Sequence, residues 1–219
     1  MRDRETIKKE RDMYNENTIL RIESVRQEKI SDWELGFTES ILARAKKGQR
    51  LTEKQLKVLV RIESKHSAEA KKEKEEWAKE YLSSFRQRAL LCAEYYSSQG
   101  EYFTDLADKI LNDPDFVPSR KQFKVMCLNK YCDKVLEETN KPPKYKVGDM
   151  VTIAHTMNQR CSKNIPAVFR GQPTFIVEVN AGPVVSAAKG AKRYRVLPMG
   201  HHKTLVVEER WLKKVKKSS

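Results

Sequence analysis

Long apolar runs are missing from this chain. No stretch approaches the roughly 18 apolar residues that a membrane-spanning helix needs, and the opening MRDRETIKKERD lacks the apolar centre of a signal peptide. An intracellular, cytoplasmic protein is expected, in the host cytoplasm if the chain is viral. Cysteine is scarce too, with four residues at irregular spacing (Cys92, Cys127, Cys132, Cys161). Cys127 and Cys132 stand five apart on one expected helix, outside the spacing of a zinc knuckle, so reduced core thiols are the expectation. Cys161 with His201 and His202 is the combination left that could ligate a metal. Those histidines, in the turn MGHHK, read as exposed loop residues, and no metal or cofactor is expected.

Catalytic motifs are also wanting. There is no glycine-rich phosphate loop, no His-Glu-x-x-His, and no carboxylate pair at a glycine-rich turn. Asp105 and Asp108 share one helix turn, where a solvated face accounts for them. An enzyme would need a carboxylate cluster that only folding assembles, so the expectation is a non-enzymatic protein.

Acidic residues are short only in the last third. Residues 1–140 hold 28 Lys and Arg against 26 Asp and Glu, a balance of +2; residues 141–219 hold 16 against 4, a balance of +12. Such asymmetry points to a polyanionic partner for one segment.

What is present begins with helices. Up to about residue 140, glycine and proline are nearly absent from long apolar-periodic runs. A first, highly charged helix is predicted over about 3–29. A second opens at Ser31-Asp32-Trp33-Glu34, a capping box in which Glu34 reaches back to the cap. Trp33, Phe37 and Ile41 then fall on one face, predicted buried, and Gly48 suits the helix end. Thr52 and Gln55 form the next capping box, and Leu56, Leu59, Val60 and Ile62 give its helix an apolar side.

This unit returns. LTEKQLKVL at 51–59 is answered by PSRKQFKVM at 118–126, with Ser119 as cap and Gln122 as its partner. Phe123, Met126 and Cys127 stand where Leu56, Leu59 and Val60 stood. A helical hairpin cannot bury its apolar side alone, so the two copies are expected to build a core together. Partner docking by each copy is the alternative. Between them, Lys71 to Glu80 reads as a solvated charged face, followed by packing residues Trp77, Tyr81, Phe85 and Leu90.

At Lys141-Pro142-Pro143 the helices stop, and beyond it the period is two. MVTIA (150–154), IPAVF (165–169), TFIVEV (174–179), RYRVL (193–197) and TLVVE (204–208) are predicted strands in a small curled sheet or barrel. In RYRVLP, alternation puts Tyr194 and Val196 inward and Arg193 and Arg195 outward. Lys189 and Lys192, in the small basic stretch SAAKGAKR, are expected beside them, with Lys203, Lys213 and Lys214 extending the positive surface along a phosphate backbone.

KYKVGDMVT (144–152), with FIVEV, YRVLP and the closing ERWLKK, resembles the small SH3-like barrels of the KOW, Tudor and integrase-tail kind. The FTESI…LTEKQL unit is similar to helical segments of phage and bacterial DNA-replication-associated proteins. Those resemblances imply a barrel and a nucleic-acid setting. The expected whole is an α+β multidomain protein. It has an all-α domain over 1–140 (repeat units about 31–66 and 97–138), a proline-containing linker at 141–145, and a basic SH3-like β-barrel over 146–219. The expected function is a nucleic-acid-binding accessory protein of replication, recombination or transcription. DNA stands ahead of RNA as partner, and the helical domain holds a protein or dimerises. The alternative is an interaction or structural adaptor, polymerase-binding or virion-associated, whose basic barrel docks an acidic protein surface.

Overall fold

The computed structural model describes residues 4–155 and 165–215. It is an α+β chain that divides into two compact units, Met1–Ala78 and Lys79–Ser219.

The first unit holds α1 (Arg4–Arg26), α2 (Asp32–Lys46) and α3 (Glu53–His66). Both expected capping boxes are formed, Ser31 with Glu34 and Thr52 with Gln55. Gly48, at φ +72°, ends α2 by donating to Ala45 O. Ile22, Ile41, Leu42, Leu51 and Leu59 make the core, and a two-pronged ion pair from Arg21 to Glu63 (2.8 and 2.7 Å) ties α1 to α3. Trp33 departs from the expected buried face. It is 59% exposed and lies flat against the half-buried Phe37, ring centroids 5.6 Å apart. As the second residue of α2, it precedes the turn over which α1 packs.

Glu34 does more than cap. Its buried carboxylate accepts from Lys65 Nζ at 2.7 Å and from the Ser31 amide at 2.9 Å, with His66 Nε2 at 3.4 Å. The Lys65 ammonium and then the Ser31 amide pull its pKa down to about 2. A depressed carboxylate stabilises the fold above its ordinary value of 4.5 and stops doing so as pH falls toward about 2. Acid unfolding of this unit is therefore expected within that window. Glu34→Gln should flatten the acid limb of a stability-versus-pH curve, at a cost of about 1 kcal/mol at neutral pH.

Most of α4 (Ala68–Glu80) belongs to the first unit; its last two residues open the second, which continues through a π-helical turn, Tyr81–Phe85, and then α5 (Arg86–Gln99), α6 (Thr104–Asn112), α7 (Arg120–Cys127) and α8 (Lys130–Asn140). Ser119 and Gln122 form the expected third capping box. The repeat is thus real as local structure, but the single core expected from the pair is replaced by two. Copy one closes on the helix before it, α1, and copy two on α5.

The second copies of the helices also differ. α3 is continuous, whereas its counterpart breaks at Leu128. There Asn129 Oδ1 accepts from the amides of Tyr131 and Cys132 to start α8, and its Nδ2 donates to Met126 O at 2.7 Å to finish α7. Cys127 and Cys132 consequently lie on two helices rather than one, buried together with Cys92 as free thiols. α8 folds back onto α5, so Cys127 is sealed while Val60, at the matching position of the unbroken α3, is 49% exposed.

Five antiparallel strands follow: β1 (Met150–Ile153), β2 (Pro173–Val179), β3 (Arg193–Pro198), β4 (Leu205–Glu208) and β5 (Leu212–Lys214), in the order β4-β3-β2-β1-β5. The sheet is open, with β4 and β5 as edges. The expected strand at 165–169 is instead a 3-10 turn, Ala167–Phe169, because Pro166 has no amide to give a ladder. The fifth strand comes from the closing WLKK, set against β1 by a second 3-10 turn, Glu209–Trp211. Tyr145, Val151, Ile153, Ile176, Tyr194 and Val196 centre its core.

The compact units do not follow the 1–140 and 146–219 partition read from composition, because α8 is bonded to the sheet's own loops. Buried Glu138 accepts from the Gly190 amide at 2.8 Å, and Val135 packs with Val184 and Ala191. Nor is 141–145 a loose linker. The Lys144 amide donates to Tyr194 Oη and to Glu209 Oε2, and Tyr145 is core.

Candidate nucleic-acid interface

β3 shows the expected alternation. Tyr194 and Val196 are fully buried and Arg193 and Arg195 point out. Tyr194 is the hub of the sheet's first end. Its hydroxyl donates to Glu209 Oε2 at 2.7 Å and accepts from the Lys144 amide at 2.9 Å. Burial, then the bond to Glu209, pushes its pKa well above the usual phenol range.

The two outward arginines are not bare. Cross-strand register sets Arg193 opposite Glu208 and Arg195 opposite Glu178, and Arg195 Nε donates to Glu178 Oε2 at 2.6 Å. Opposed charges across a strand pair stabilise it modestly and half-neutralise the face. A phosphate meeting Arg195 has a carboxylate to displace.

Lys192 is the clearest correction. It is 4% exposed, and its Nζ donates to Thr139 O at 2.9 Å. The alternation that turns Arg193 outward turns Lys192 into the seam with α8, where the freed carbonyls at the end of that helix receive its charge. It holds the fold and is removed from any phosphate surface. Lys192→Ala is expected to cost about 1–3 kcal/mol in urea unfolding, since it leaves the Thr139 carbonyl without its donor. The same variant should leave the salt dependence of nucleic-acid binding unchanged.

SAAKGAKR is likewise pinned rather than flexible. The Gly190 carbonyl accepts from the Arg210 amide at 2.9 Å, and the Lys192 carbonyl from the Glu209 amide at 2.8 Å. Gly190 sits at φ +73°, and a Cβ there would come within 3.0 Å of Arg210 Cβ. Only glycine fits.

The remaining expected cations are exposed but not gathered into one stripe. Lys189 precedes β3 at one end of the sheet, and Lys203 lies in the β3–β4 turn at the other. Lys213 and Lys214 are on the edge strand β5, opposite Thr152 and Val151, and so lean to opposite faces. Beside Lys189 the structure brings Lys141, Lys144 and Arg210, which the sequence did not mark because they belong to the supposed linker and to a short turn.

In comparisons with known proteins, no family model matches this chain and no curated protein does. The reading therefore rests on the chemistry of these residues.

The carboxylates decide much of that chemistry. All four acidic residues of 141–219 have a partner within the chain, two of them, Asp149 and Glu178, at the exposed surface. Asp149 accepts from the Lys146 amide, Glu178 pairs with Arg195, Glu208 pairs with Arg210, and Glu209 takes Tyr194 and Lys144. Among the described residues none of the four is paired with Lys189, Lys203, Lys213 or Lys214, so these lysines stand without acidic neighbours of their own segment. Among the described residues, too, no group of three or more His, Cys, Asp or Glu is placed to hold a metal ion; Cys161, proposed with His201 and His202, lies outside them. His201 instead meets Phe169 edge-on at 4.8 Å. No described helix is long and apolar enough to cross a membrane.

Proposed function

We propose that the chain is a non-enzymatic nucleic-acid-binding protein, an accessory factor of replication, recombination or transcription. Its C-terminal sheet contacts phosphates through Lys189, Lys203, Lys213 and Lys214, with Arg193 and Arg195 contributing on the outer face. The observation that carries this reading is that all four carboxylates of 141–219 are engaged by groups other than Lys189, Lys203, Lys213 and Lys214, so that none of them neutralises these four lysines. Cations so placed bind polyanions by releasing condensed counterions, with little base readout. We read the sheet as SH3-like. The order β5-β1-β2-β3-β4 and the 3-10 turn before the last strand support that reading, as does the Gly148-Asp149 turn at the sheet's entrance.

A second reading, a protein-docking adaptor, is favoured by one observation in the first unit. Trp33 and Phe37 present a stacked, largely exposed aromatic pair. The two readings separate in a competition experiment on the full chain. Labelled duplex DNA, single-stranded DNA and RNA are each bound at low salt, then challenged with excess unlabelled strands. Binding that transfers between sequences supports phosphate tracking, with DNA expected ahead of RNA. If no strand form binds, the nucleic-acid reading fails and the adaptor stands.

A further inference from the structure

Four cations from separate stretches of chain meet in one cleft of about 440 Å³. Lys141 follows the end of α8, Lys144 lies in the proline-bearing connection, Lys189 in the pinned segment before β3, and Arg210 in the turn before β5. One carboxylate lines the same cleft, that of Glu209, and it is occupied by the Tyr194 hydroxyl and the Lys144 amide. A neighbouring cleft of about 320 Å³ shares Lys141 and Lys189 and adds Lys134 together with the carboxylates of Glu137 and Glu138, so it is the less suited of the two to an anion.

Two of these cations already face carboxylates, Lys141 with Glu138 at 3.4 Å and Arg210 with Glu208, which leaves Lys144 and Lys189 as the charges that an anion bound in the cleft would neutralise. The walls are also fixed in advance. Gly190 is held on one side by buried Glu138 and on the other by the Arg210 amide, so Lys189 leaves a backbone that cannot swing away. The Lys144 ammonium lies over the Tyr145 ring, 5.1 Å from its centroid, and the Arg210 guanidinium lies over Trp211 at the same distance. Stacking of this kind restricts where both charges point. The backbone under Lys189 and two of the charges are therefore ordered before a ligand arrives, which lowers the cost of binding.

We propose that this cleft is a phosphoryl-binding site. Resting on the reading above, the phosphoryl group is one in a nucleic-acid backbone, seated where α8 and the sheet join. A free phosphate shares that chemistry, and the experiment distinguishes the two sources.

The full chain, labelled with ¹⁵N, is titrated with inorganic phosphate, and separately its affinity for a labelled duplex is followed across a salt series. Lys141→Ala/Lys189→Ala is compared with wild type in both, and Lys203→Ala serves as an exposed control. Lys189 is exposed and Lys141 reaches buried Glu138 at 3.4 Å, so unchanged spectra elsewhere are needed to establish that the variant is folded. The expected result is phosphate-induced shifts clustered at Lys144, Lys189 and Arg210, absent from the double variant. The variant's log–log salt slope for the duplex should be shallower by about 2.

Phosphate shifts in the cleft with no duplex binding by wild type would keep the phosphoryl site, assign it to a free phosphate and sink the nucleic-acid source. Duplex binding whose slope is unchanged in the double variant, with phosphate shifts scattered over surface lysines, would overturn the cleft while leaving nucleic-acid binding intact.

Discussion

Tyr194→Ala is expected to unfold the C-terminal sheet under conditions where the wild-type chain is folded. The ring is fully buried and meets Tyr145 edge-on, with centroids 5.8 Å apart. Removing a core aromatic costs about 3–5 kcal/mol, a large part of the stability of an ordinary domain. Tyr194→Phe isolates the polar share. It keeps the packing but removes the hydroxyl's bond to the Glu209 carboxylate, while the Lys144 amide keeps Glu209 as acceptor, for a cost of about 1–3 kcal/mol. Urea unfolding followed by near-ultraviolet circular dichroism measures both. The ordering Ala worse than Phe worse than wild type is the expected outcome. Equal losses from the two variants would mean that the hydroxyl network, not the ring, holds the strand to the connection.

Reversing charge outside the cleft carries the other large effect. Lys203→Glu, Lys213→Glu and Lys214→Glu together should weaken duplex binding about five-hundredfold at 0.1 M salt. Each lost phosphate contact forfeits about 0.9 of a released counterion, worth nearly a factor of ten at that concentration relative to 1 M. All three side chains are exposed and have no carboxylate partner among the described residues, so the fold should be untouched. Arg195→Glu should act less cleanly. It sets a second carboxylate against Glu178 across the strand pair and so costs stability as well as affinity. A thermal melt beside each titration separates the two effects.

How much of this was legible in the sequence depends on the range of the interaction that fixes each feature. The three capping boxes were readable because a cap and its partner are three residues apart, and nothing distant overrides them. The inward Tyr194 and outward arginines followed from strand alternation alone. Trp33 failed because spacing names a helix face and does not say which part of that face a neighbour covers. The break at Asn129 was not read, because Cys127 and Cys132 were expected on one helix. Only the packing of α8 on α5 shows that they lie on two.

Lys192 failed for a related reason. Composition marks a basic stretch, but its burial is decided by Thr139, some fifty residues away in the chain. The cleft was illegible on the same ground, since Lys141, Lys144, Lys189 and Arg210 are gathered by contacts between α8, the connection and the sheet. The bonds across Lys-Pro-Pro were illegible too, since Glu138 meets the Gly190 amide and Lys192 meets Thr139 only in space.

The most direct test is the salt dependence of duplex binding by the unmodified full-length chain, measured by fluorescence anisotropy. With four phosphates neutralised by Lys189, Lys203, Lys213 and Lys214, the slope of log K against log salt should be about −3.6. A slope near zero, or no binding at low salt, would contradict the claim that this lysine-rich, carboxylate-committed surface tracks a phosphate backbone.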